Sequence, residues 1–176
     1  KDAKIVHLSM ESYYRMGTMA RVSQEFATIE RHLTCMVRDR LSLYQRLRIS
    51  AISFFTDPAP HEEFETCIAN LDQSQHIILT YTNLLGMKFD VFKRYLDGYR
   101  QWVTALTQFV PKLSARFGEE SFQLSYRLSQ TVANAAEFLA TQQQLESTVS
   151  LQIQNNRNVM TDILHVATIS KSLLHN

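Results

Sequence analysis

Apolar residues along this chain recur every three or four positions, and strand-like alternation is hard to find. Phe26, Ile29, Leu33, Met36, Leu43, Leu47 and Phe54 lie at helical spacing, in a pattern that runs back to about Ile5. The spacing predicts a first helix of about fifty residues, about 75–80 Å long at 1.5 Å per residue. Pro58 and Pro60, in TDPAPHEEFE, end it, because each removes an N–H donor and pushes the preceding residue towards extended geometry. The acidic run after Pro60 suits the first turn of a new helix, where carboxylates meet the positive end of the dipole.

A second helical stripe carries Phe64, Ile68, Leu71, Ile78 and Leu85, and Gly86 follows it. Apolar positions resume at Phe89, Phe92, Leu96, Tyr99, Trp102, Leu106 and Phe109, and Pro111 with Gly118 marks a further break. From Glu119 to about Leu174 there is neither Gly nor Pro, and Leu128, Val132, Ala135, Leu139, Leu145, Val149, Ile153, Met160, Ile163 and Val166 keep a helical face. If Gly86 is a turn, the fold is all-α: an elongated antiparallel up-down-up-down helical bundle with long first and last helices. That reading makes residues 1–176 one domain, with a distal four-helix part over about 34–145 and a stalk of about 1–33 and 146–176. If Gly86 only loosens a longer helix, three long helices result and the chain ends lie at opposite extremes. A helix ending at Gly86 is already twice the common length, and MKFD resembles a restart, so the turn is preferred.

Composition narrows the classes of function. The 176 residues are 45% hydrophobic and 20% charged, the balance of an ordinary folded protein. With 18 Lys+Arg against 17 Asp+Glu, interspersed, there is no basic excess to suggest nucleic acid. No apolar run approaches the roughly 18–20 residues that span a bilayer, and KDAKIVHLSM lacks the apolar core of a signal peptide. Either the protein is soluble or its anchoring segments lie outside this sequence. Counted from the Pro58 turn, Cys35 and Cys67 fall about 20 Å apart, too far for a disulfide within the chain.

Catalytic patterns are missing. Asp162-Ile-Leu-His165 occurs once, without the partner helix a di-metal bundle needs. The six histidines show no i, i+4 pairing, and there is no nucleophile elbow or phosphate-binding glycine loop. No enzyme, no metal and no cofactor are expected.

Polar residues on the apolar stripes are more informative. Arg40 and Arg48 continue stripes of the first helix, Gln75 one of the second, and Gln142 sits between Leu139 and Leu145. An inward Arg needs a carboxylate, a carbonyl or an anionic ligand; alternatively its stem covers apolar surface while its head stays in water. In the four-helix arrangement Arg40 falls level with Gln75 and Tyr95, and Arg48 with Tyr99. These five residues are the candidate ligand site, suited to a small molecule such as an organic acid. The amide-rich Gln152–Asn158 stretch reads as a register-fixing element between packed helices. The same layer counting leaves two helices alone in the stalk with apolar faces on both. A parallel homodimer would cover them, with Met19, Val22 and Phe26 at the contact.

The passage VRDRLSLYQRLRISAISFFTDPAPHEEFETCIANLDQ, the aromatic YRQWVTALTQFV and the Gln-rich LATQQQLESTVSLQIQNNRN resemble the extracytoplasmic sensor domains of bacterial chemoreceptors and sensor histidine kinases, of the four-helix and helical bimodular types. The resemblance covers most of the chain through pattern and composition. It implies a periplasmic ligand-sensing domain of a membrane-anchored signalling receptor, with both chain ends towards the inner membrane. The rival from another class is a dimeric three-long-helix scaffold or membrane-curving module of the BAR or spectrin type.

Overall fold

The computed structural model describes residues 2–56, 62–117 and 122–175, and all of them are helical. The described residues form three helices: α1, Asp2–Thr56; α2, Glu62–Phe117; and α3, Phe122–His175. The all-α bundle is as the periodicity predicts. The turn at Gly86 is absent, because α2 passes through it without interruption.

A seven-residue repeat explains the continuity. From Leu85 onward the buried residues of α2 are Leu85, Phe89, Phe92, Leu96, Tyr99, Val103, Leu106, Val110 and Leu113, spaced alternately by four and three. The phase is unbroken across Gly86, so each turn keeps the same side in the core. A helix-interior Gly costs about 1 kcal/mol relative to Ala. Ending the helix there would break up the seam that buries Phe89, Phe92 and Leu96, each worth about 1.5–3 kcal/mol. The seam wins. Pro111 likewise lies inside α2, on an exposed position between the buried Val110 and Leu113, and the helix continues to Phe117. Of the expected breaks, those near Pro58 and Gly118 agree with the ends of α1 and α2.

The other helices carry matching seams. On α1, Ser12, Met19, Ser23, Phe26 and Leu33 are buried, with Met16 and Glu30 half-buried at the intervening positions. On α3, Leu128, Ala135, Gln142, Val149 and Ile163 repeat by sevens, with Met160 and Ala167 on the companion row and Asn156 half-buried in the gap.

The helices pack as two compact units, each taking one half of every helix. The first comprises Lys1–Ala27 and Lys88–Thr148, the second Thr28–Met87 and Val149–Asn176. The two chain ends therefore belong to different units.

In the first unit Phe26 stacks on Phe92 with ring centroids 5.1 Å apart and meets Phe89 at 5.5 Å. Farther along, Arg15 lies over the Trp102 ring at 4.6 Å, so α1 and α2 run antiparallel. The Ser9 and Thr131 hydroxyls approach to 3.4 Å between α1 and α3. Tyr99 joins α2 to α3, donating to the Ala135 carbonyl at 3.3 Å and meeting Phe138 edge-on. In the second unit the Thr82 hydroxyl donates to the Met160 sulfur at 3.4 Å.

This packing removes the expected stalk. Residues 1–27 are packed by the C-terminal half of α2 and the N-terminal half of α3, not left as one of two bare helices. Met19 and Phe26 are buried by their own chain and Val22 is half-buried, so the uncovered face that called for a partner there does not exist.

Candidate functional site

In the first unit α1 carries two apolar stripes. One is the buried seam. The other, Val6, Met10, Tyr13 and Gly17, follows the same four-three-four spacing on exposed positions, with Tyr14 beside it. Tyr13 is 81% exposed, Tyr14 70% and Met10 66%. Apolar and aromatic side chains this open on consecutive turns are unusual in a surface with nothing to bind.

The stripe lines a groove of about 670 Å³ that α3 closes through Arg127 and that Arg21 borders farther along α1. Tyr126, 59% exposed, stands next to Arg127. No acidic side chain lines this groove, and among the described residues neither Arg21 nor Arg127 has a carboxylate partner. Gly17 sits on it with nothing within 4 Å of where a Cβ would stand, so a partner can approach this backbone closely.

A second groove, of about 660 Å³, lies between α1 and α2 and is shared by Tyr14, Arg15, Arg94, Tyr95 and Tyr99. Its charges are largely committed to one another. Arg15 pairs with Glu11 at 2.8 Å while its guanidinium covers Trp102. Tyr99 is buried, which pushes its phenol up to about 12, and its hydroxyl is occupied by the Ala135 carbonyl. Tyr95 is exposed on the rim.

The expected ligand site is not assembled as read from the sequence. Tyr95 and Tyr99 line a groove with α1 residues from Glu11 to Met19, because α2 folds its C-terminal half against the start of α1. Arg40, Arg48 and Gln75 fall within the second unit, and their side chains lie outside the described residues. Gln142 is buried, as its place on the stripe suggested, and among the described residues its carbonyl oxygen has no hydrogen-bond partner; nor has the indole N–H of Trp102. In the amide-rich stretch only Ile153 and Asn156 are partly buried, and Gln154 donates to Asn158 along the helix at 3.4 Å.

Val6, Met10, Tyr13, Tyr14 and Arg21 were not singled out by sequence reasoning, and Arg127 entered it only as a residue level with Arg48. Their signal was present in the four-three-four spacing of Val6, Met10, Tyr13 and Gly17, a second apolar row parallel to the first. Among the described residues no three His, Cys, Asp or Glu side chains group as metal ligands, and no helix is long and apolar enough to cross a membrane. Cys35 is a free, exposed thiol.

These features define an all-α helical bundle with open surface grooves. No family model, no curated protein and no solved structure matches the chain.

Proposed function

We propose that this chain is a non-catalytic scaffold, a three-long-helix module that self-associates and holds other proteins by its surface. The observation that carries this reading is the uninterrupted course of α2 through Gly86. It makes three helices of 55, 56 and 54 residues whose halves pack into two units, with the chain ends in different units. A four-helix sensor head needs a turn near Gly86 with a two-helix stalk beneath it, and an uninterrupted α2 favours the three-helix alternative. The interior of the first unit is filled by side chains such as Phe92, Leu96 and Leu128, and its hollows are open grooves on the surface. An interaction surface fits this arrangement better than an enclosed ligand chamber does.

For self-association, the exposed apolar residues of the second unit are the favoured contact. Leu151 is 64% exposed and Ile169 also projects outward. They lie about five turns apart on the same side of α3, and a second copy would take them out of water. Sedimentation equilibrium across concentration is the test. The expected result is a reversible dimer that Leu151→Glu with Ile169→Glu returns to monomer. Two parallel assays separate the competing readings. Thermal shift against small organic acids would restore the sensor reading if one of them raised Tm by several degrees, whereas co-sedimentation with anionic vesicles would indicate a membrane-surface role.

A further inference from the structure

We propose that the groove between α1 and α3 in the first unit is a docking site for an acidic amphipathic helix of a protein partner. The proposal rests on the scaffold reading and names what that scaffold would hold.

The shape of the surface selects a helix. Val6, Met10, Tyr13 and Gly17 repeat at the spacing by which one helix presents ridges and holes to another. From Val6 to Arg21 the row runs about 22 Å, the length of about four turns. Gly17 leaves open space in this row, and an approaching side chain can fill it. Exposed Tyr and Met beside Arg are also the residue types enriched where proteins bind one another.

Charge selects the partner. Arg21 and Arg127 border an apolar floor that contains no carboxylate, and neither has an ion pair among the described residues. Two copies meeting through this face would bring four guanidinium groups to a surface without an acid. A second copy of the chain is therefore a poor occupant here. A peptide whose apolar row is flanked by Glu or Asp meets both requirements. It buries its apolar side against Met10 and Tyr13, and its carboxylates accept hydrogen bonds from the two arginines. An anionic membrane is less well matched, because the other exposed charges of this unit are of both signs, Glu25, Asp90, Asp97 and Glu137 beside Arg15, Lys88, Arg94 and Lys112, and make no continuous basic surface.

The test uses the full chain and two labelled 16-residue helical peptides. They share one Leu seam, and their flanking positions are Glu in one and Lys in the other. Fluorescence anisotropy is expected to show the Glu peptide binding at least about tenfold more tightly than the Lys peptide. Arg21→Glu with Arg127→Glu should reverse that preference, and Gly17→Leu should weaken the Glu peptide about tenfold by filling the groove. All three positions are exposed, and circular dichroism checks that each variant remains folded. Equal binding of the two peptides, binding of neither, or Glu-peptide binding unaffected by these substitutions would overturn the proposal. So would vesicle binding lost in the double-arginine variant without any peptide preference, which would assign the groove to lipid. A dimer dissociated by Gly17→Leu would assign it to a second copy. Retained peptide preference in a chain that stays monomeric would leave the groove standing and remove only the self-association.

Discussion

Gly17, Gln142 and Tyr99 each break a local rule of the bundle, and each break has a measurable consequence. Gly17 lies mid-helix with open space where its Cβ would be. Alanine there should stabilise the fold by about 0.5–1 kcal/mol, since nothing is displaced and the unfolded chain loses freedom. Urea denaturation of Gly17→Ala reads this directly, and a lower midpoint would contradict the open space beside Gly17. Gln142 places a carbonyl oxygen in the core without a hydrogen bond. Leucine at that position should stabilise the fold by about 1 kcal/mol, read as a higher urea midpoint, because an unsatisfied buried acceptor carries a desolvation cost of about 1–3 kcal/mol. Tyr99 is a buried acid held towards its neutral form. Burial pushes its phenol up to about 12 from an ordinary value near 10. The folded state favours the neutral form, so this contribution is complete below about pH 10 and is lost as pH rises towards about 12. Tyr99→Phe should therefore lose less stability than the wild type between those values in a pH series of thermal melts.

At the scale of elements, the sequence was most legible where apolar spacing ran without interruption and least legible at its punctuation. Three long helical stretches and the breaks near Pro58 and Gly118 follow from periodicity and from residues that cannot continue a helix. Gly86 reads as a stop when the glycine is weighed alone, apart from the apolar phase that crosses it. Leu85, Phe89, Phe92 and Leu96 keep the four-three spacing across the glycine, and that phase is the stronger evidence. Once the turn is placed wrongly, every level-matched pairing shifts. Arg40 and Arg48 were set beside Tyr95 and Tyr99 on that basis, whereas Tyr95 and Tyr99 share a groove with Arg15. The exposed row Val6–Gly17 was passed over because a single apolar face already accounted for α1. Pro111 offers an independent check on helix continuity. Its ring forfeits a backbone hydrogen bond within α2. Pro111→Ala should stabilise the protein by about 1–3 kcal/mol if the helix runs through it, whereas a proline in a turn would show no gain.

Across the whole molecule, one helix passes from the second unit through Gly86 and lays its C-terminal half antiparallel against the start of α1. Phe26 on Phe92 and Arg15 over Trp102 set the level of that pairing. Continued along the first unit, it brings Met10 opposite the neighbourhood of Phe109, both exposed and open to labelling. With adjacent helix axes about 8–10 Å apart, spin labels at Met10→Cys and Phe109→Cys should lie within about 25 Å. Cys35→Ser and Cys67→Ser would remove the native thiols, and dilution with unlabelled chain would suppress contacts between copies. A turn at Gly86 would instead carry Phe109 up to near the level of the Pro58 turn, about forty-five residues of helical rise from Met10, or about 70 Å. A pulsed dipolar distance under about 25 Å is the result predicted here, and one near 70 Å would contradict the three-helix bundle and the scaffold reading built on it.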